Sequence, residues 1–260
     1  MVRLFRQLTK SGLRKLGFGV WAINSTETLN FENLLYVLFQ KFEVVTFLHI
    51  GAHDGKSFSD PLYHFVTRNP QRVSGVMFEP VKETYKKLVG NLGHIKSIRL
   101  VNMAIHPYDK QVTIHKYSQV KGSLAAEALG HSTTDVTRLD TRKFGVGPEV
   151  VQREIVSAIT ISDALKWVSG FDDYGLHVIC MDTEGLDFDL LDSIDFKTTK
   201  PFVIRFEHNL CTSKYQSNRG RYFSVLERLN REGYQVFTEL NDAVAVSREM
   251  IPFIVEQIEG

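Results

Sequence analysis

Carboxylates, an imidazole and an amide are concentrated in two short runs, CMDTEGLDFDLL and RFEHN, each continuing an apolar stretch of strand length. Asp182 and Glu184 stand in the first run; Glu207, His208 and Asn209 stand in the second. A desolvated carboxylate or an imidazole can take a proton from a hydroxyl near neutral pH, so Asp182 and His208 are the first candidates for a general base and Glu184 the third. Glu184 has an alternative role as an acid at the N-terminus of a helix opened by Gly185, while Asp187 and Asp189 read as solvated first-turn acids. Asp182, Glu207 and Asn209 are also hard oxygen donors of the kind that hold Mg²⁺ and polarise a diol, which is a second reading of the same residues. No spacing calls for zinc, and His64, His94, His106, His115 and His131 read as surface or core histidines.

A second group of residues surrounds VVTFLHIGAHDGKSFSD, where Gly51 and Gly55 follow a strand and precede a helix. Glycines there allow a tight turn and a close approach of backbone to ligand. A dinucleotide fingerprint needs a middle glycine and a third one; His53 occupies the middle position, so pyrophosphate binding is disfavoured. The next strand ends in GVMFEP, with Glu79 at its carboxyl edge, 28 positions after Gly51. An acid so placed can accept hydrogen bonds from both ribose hydroxyls, which points to a nucleoside; its alternative role is to cap the helix beginning near Pro80. Beyond a third strand, Asn102, Ala104 and Ile105 fall where an adenine ring would need an amide partner and a small apolar wall.

The elements that must position these groups follow from periodicity. Apolar runs of strand length occur at Val44–Ile50, Val73–Phe78, Ile98–Val101, Leu176–Met181, Pro201–Phe206, Tyr234–Glu239 and Ala243–Ser247. Most are continuous, as in strands buried on both faces, and amphipathic segments at Leu62–Thr67, Val81–Leu92, Ser162–Val168 and Arg219–Glu232 supply crossovers. The expected fold is therefore α/β, doubly wound and mostly parallel, with the last two strands forming an antiparallel hairpin. Residues 1–43 read as a basic, helical N-terminal extension and residues 44–260 as the main domain. Within it, 118–152 reads as a long loop or lid, on which Ser123 is placed to help close an acceptor site.

The composition excludes several classes. The chain has 260 residues, 43% of them hydrophobic, and a formal charge of +1, so it can bury a core but presents no global field for nucleic acid or an acidic membrane. Cys180 and Cys211 are too few for a disulfide scaffold, and no leader or stretch of about 20 apolar residues is visible. A cytoplasmic protein without a transmembrane segment is expected, and a homo-oligomer is left open.

HIGAHDG, VMFEPVKETYKKLVGNL, VNMAIHPYDK, ITISDAL, VICMDTEGLDFDLL and FVIRFEHN, in this order from about Phe47 to about Asn209, resemble the FkbM family of S-adenosylmethionine-dependent methyltransferases. The resemblance implies a seven-stranded, Rossmann-like methyltransferase sheet with an antiparallel terminal strand. It further implies methyl transfer to oxygen on a sugar or another small hydroxylated metabolite. On this reading Gly51, Ala52, Asp54, Gly55, Glu79, Pro80, Asn102 and Ala104 surround S-adenosylmethionine, with Asp182, His208 and Glu184 on the acceptor side. Two positions depart from the family's pattern: His49 stands where an acid is usual, and Met181 where a lysine usually precedes D-x-E-G. These departures keep a non-catalytic nucleoside-binding or partner-docking module in view, alongside a nicotinamide-dependent oxidoreductase with an unusual glycine loop.

Overall fold

A computed structural model describes residues 30–118, 120–122, 124–168, 175–208, 219–239 and 241–259. Its centre is a seven-stranded sheet built from β1 (Val45–Ile50), β2 (Val73–Phe78), β3 (Ile98–Val101), β8 (Val178–Met181), β9 (Val203–Glu207), β10 (Tyr234–Glu239) and β11 (Asp242–Ser247), in the order β10-β11-β9-β8-β1-β2-β3. The five strands from β3 to β9 run parallel. β11 is inserted between β9 and β10, antiparallel to both. This is the mostly parallel, seven-stranded sheet expected of the chain, with the hairpin folded back so that the last strand is internal.

The continuous apolar strands are explained by cover on both faces. α1 (Phe31–Lys41), α2 (Tyr63–Arg68), α3 (Lys82–Leu92) and α8 (Ile251–Glu259) pack on one side around Phe47, Met77 and Val244. α5 (Ile161–Leu165), α6 (Asp187–Ser193) and α7 (Arg219–Arg231) pack on the other, around Leu48, Phe78, Ile179 and Phe206. All six residues of β1 are buried, so either face would lose core if the strand were polar. α1 starts cleanly because the Asn30 side chain accepts the Asn33 N–H at 2.7 Å. Through Phe31, Leu34, Leu35 and Leu38, α1 belongs to the main core.

A second, four-stranded sheet stands beside the first: β4 (Ala104–Ile105), β5 (Gln111–Tyr117), β6 (Ser132–Thr133) and β7 (Val151–Ile159), in the order β4-β7-β5-β6. The strand pattern read from sequence omits it. Its long strands alternate, with Val112, Ile114, Val156 and Ala158 inward and Thr113 and Ile155 outward. Residues 118–152 thus carry short elements: α4 (Ala125–Gly130), β6 and two single 3₁₀ turns, closed around Tyr117, Val120, Ala128 and Leu139. Ser123 and Asn209 lie outside the described residues, as does the N-terminal segment up to residue 29. No helix among the described residues is long and apolar enough to cross a membrane.

Candidate active site

The strand order sets the carboxyl ends of β2, β1, β8 and β9 side by side, and a cleft of about 320 Å³ opens over them. This is where open α/β sheets bind ligands, beside the switch in strand order between β1 and β8.

The first half of the cleft is made by the turns after β1 and β2. Gly51 adopts φ +79°, and its N–H and that of Ala52 donate to the Phe78 carbonyl at 3.0 and 2.9 Å. A Cβ at Gly51 would lie 1.8 Å from the Asp182 carbonyl oxygen, so only glycine lets the β1 turn press against the end of β8. Glu79 is 4% exposed; its Oε2 accepts the His53 N–H at 3.0 Å and its Oε1 the Val81 N–H at 2.8 Å. Val81 is the N-cap residue of α3, so one carboxylate both caps a helix and faces the cleft. Burial pushes Glu79 up to about 7, against the pull of the two backbone donors. Pro80 and Ala104 also line the cleft, and Met103 and Ile105 extend the apolar wall.

Ala52, Asp54, Gly55 and Asn102 do not line it. Ala52 is fully buried in the core. Gly55, at φ +67°, allows the loop to close on α3, where a Cβ would meet Leu88 and Leu92 at 2.6 and 2.7 Å. Asp54 accepts the N–H groups of Lys56 and Ser57 and the Ser57 hydroxyl. Burial acts to raise its pKa, but these hydrogen bonds outweigh that and leave it lowered. Asn102 donates to the Glu79 and Pro80 carbonyls, both at 2.9 Å. These four shape the loops that carry Gly51 and Glu79.

The second half is acidic. Asp182 is exposed to the cleft. The protein mass around it, with Glu184 and Asp187 nearby, pushes its carboxyl up to about 8. Glu207 lines the cleft from β9, and burial with the same neighbouring acids raises it to about 9. Asp187, expected as a solvated acid, is 2% exposed. It accepts from the Thr183 N–H and hydroxyl, at 3.1 and 2.5 Å, and from the Glu207 N–H at 3.0 Å. It therefore ties the end of β8 to the end of β9. Asp189 instead pairs with Arg221 at 2.5 Å.

Several cleft residues were not singled out by sequence reasoning. Arg205 pairs with Asp242 at 2.5 Å; Asp242 reaches the cleft because the inserted β11 sets it opposite Glu207. His131 Nδ1 lies 3.0 Å from Glu184 Oε1, and that contact raises the histidine's pKa. The Thr133 hydroxyl donates to the Glu184 carbonyl at 3.0 Å, so the segment around β6 grips the loop after β8. Glu184 itself holds φ +53°, and Phe58 and Ser59 hold +57° and +59°. Such strain in non-glycine residues persists only where surrounding contacts impose it, and it clusters at binding sites. Phe58 packs against Gly130 across the mouth.

His208 departs from its expected place. It is 9% exposed, does not line the cleft, and stacks on Tyr222 of α7 with ring centroids 5.4 Å apart. Desolvation lowers its pKa. His208→Ala is expected to leave turnover within about twofold of the parent and to cost about 0.5–1.5 kcal/mol of stability, the worth of an aromatic pair. Rate assays and thermal melts on one preparation check both parts. No group of three or more His, Cys, Asp or Glu among the described residues is arranged to hold a metal ion.

Comparison with curated protein sequences gives no match. Among solved structures, the chain is similar to the precorrin-6y C5,15-methyltransferase of Geobacter metallireducens GS-15, at 11% identity over 86% of this chain and 92% of that one, with a TM-score of 0.37. It is similar to a methyltransferase from Geobacter sulfurreducens at 11% identity, over 95% and 87%, with a TM-score of 0.39. It is similar to the METTL16 methyltransferase domain at 13% identity, over 93% and 78%, with a TM-score of 0.43. The family model described as the methyltransferase FkbM domain matches residues 49–236. That match runs from the end of β1 into β10 and takes in both halves of the cleft, so the chain belongs to the FkbM methyltransferase family.

Proposed function

We propose that the protein methylates a hydroxyl oxygen of a sugar or another small hydroxylated metabolite, using S-adenosylmethionine. The observation that carries the reading is the junction at Gly51: the turn that precedes Glu79 in the cleft touches the backbone of Asp182. The residues present fit the cofactor. Glu79 is a buried carboxylate facing the cleft with lone pairs beyond those used by His53 and Val81, and Met103, Ala104 and Ile105 offer an apolar wall for a purine. S-adenosylmethionine, when bound, supplies a methyl carbon already activated on a sulfonium. What remains for the chain is alignment and proton removal.

Asp182 is the group for the proton. It is open to the cleft, and its raised proton affinity brings it near the operating pH at which a general base works best. With the cofactor bound, the methyl–sulfur bond would break, its electron pair remaining on a neutral thioether, as the acceptor oxygen takes the methyl carbon, and the acceptor's O–H proton would pass to the Asp182 carboxylate. Asp187 keeps β8 and β9 in register beneath it, and His131 holds Glu184 to one side. The FkbM match displaces the nicotinamide reading.

Calorimetry with S-adenosylhomocysteine and with NAD tests this directly. Binding of the first alone is expected, and binding of NAD alone would sink the reading. Glu79→Ala should weaken S-adenosylhomocysteine more than tenfold, since hydrogen bonds to a charged group are worth about 1.5–3 kcal/mol.

A further inference from the structure

The acceptor end of the cleft holds more carboxylate than its cations can balance. Arg205 is engaged with Asp242 at 2.5 Å, and His131 with Glu184 at 3.0 Å. Asp182 and Glu207, at the ends of the adjacent parallel strands β8 and β9, have no cation within ion-pair distance among the described residues. Glu207 Oε2 is buried and without a hydrogen-bond partner among them. A second observation is independent of this charge. His49 is 2% exposed and lines the same cleft, and among the described residues its Nδ1 has no hydrogen-bond partner, Asp60 Oδ2 lying 3.9 Å away. Desolvation lowers its pKa and keeps the ring neutral, so it has a lone pair to offer to an incoming N–H or O–H. Buried polar groups without partners are costly, and two of them, Glu207 Oε2 and His49 Nδ1, belong to residues that line one cleft.

We propose that the acceptor carries a primary ammonium group close to the hydroxyl that is methylated, and that Glu207 holds it. This rests on the methyl-transfer reading above and narrows its substrate class to an amino sugar or an amino alcohol. Phosphorylated acceptors are disfavoured, because a phosphate would meet Asp182 and Glu207 with no cation within ion-pair distance of either among the described residues.

The ammonium also has a consequence for the base. Without ligand, desolvation pushes Asp182 up to about 8 and Glu207 to about 9, with Glu184, Asp187 and Asp242 adding repulsion at both, Asp182 adding to it at Glu207, and Arg205 relieving Asp182. A cation between them favours the ionised forms, so binding expels protons and the acceptor itself ionises Asp182. Affinity for an ammonium should therefore rise with pH and level off only above about 8 to 9, where Asp182 and Glu207 ionise without ligand.

The test uses the full chain saturated with S-adenosylhomocysteine, whose own binding is measured first by calorimetry; its failure would strike the proposed function and leave this inference without its premise, which also overturns it. Thermal melts then compare ethanolamine, ethylene glycol and glycolate at equal concentration. Ethanolamine is expected to stabilise by at least twice as much as ethylene glycol, increasingly so toward pH 8, and glycolate not at all. A larger effect of glucosamine than of ethanolamine assigns the group to a sugar, and the reverse to an acyclic amino alcohol. Glu207→Gln should remove the preference for the amine. An ethanolamine effect no greater than that of ethylene glycol in the parent protein, or a glycolate effect exceeding both, overturns the proposal without recourse to any variant.

Discussion

Gly51→Ala is expected to abolish measurable S-adenosylhomocysteine binding and to lower the melting temperature by about 6–12 °C. Two independent costs add at this position. The backbone sits at φ +79°, where a Cβ is penalised by about 1–2 kcal/mol. The new methyl would also lie 1.8 Å from the Asp182 carbonyl oxygen, a backbone atom that no rotamer change can move. Overpacking of this kind costs about 1–3 kcal/mol, so the sum is about 3 kcal/mol, and at this chain length each kcal/mol shifts the melt by about 2–4 °C. The relief available is for the β1 turn to move away from β8, which opens the junction between Glu79 and Asp182. Melts and calorimetry on the purified variant read the two effects separately. A variant with parental affinity would show that the two halves of the cleft do not act together.

Asp182→Asn should reduce turnover by about 10²–10⁴ while cofactor affinity stays within about twofold, because the amide keeps the shape of the carboxyl and loses only its ability to take the proton. The pH profile distinguishes this from a folding defect. A base must be ionised to work, and Asp182 is pushed up to about 8, so parental kcat/KM should rise with pH and level off above about 8. The variant's profile should be flat across that limb. If the acceptor brings an ammonium, the limb in kcat, which reports the complex, should fall at lower pH than the limb in kcat/KM. A parental rate independent of pH across this range would remove Asp182 from the role.

Much of the fold was legible because continuous apolar runs have few solutions. Strands such as VTFLHI must be covered on both faces, which dictates parallel neighbours and helical crossovers, and β2, β3 and β10 keep the limits expected for them. The small sheet was less legible. β5 and β7 alternate, and their inward positions are shared with polar residues of mixed charge, so the period-two signal is diluted until the strands are paired.

The same division runs through the site. Sequence alone determined which residues stand at the carboxyl edges of strands, because a strand's end is marked by its own punctuation; Gly51, Glu79, Asp182 and Glu207 follow from that. It could not say which way a side chain turns after the edge. His208 follows Glu207 in the chain yet stacks on Tyr222, while Asp187, the first residue of α6, reaches back to clamp both strand ends. Only tertiary structure brought His131 to Glu184 across 53 positions of sequence and Asp242 alongside Glu207 through the insertion of β11. The charge balance of the cleft was decided there too, because pairing depends on distances of a few ångströms between segments whose approach no local pattern encodes.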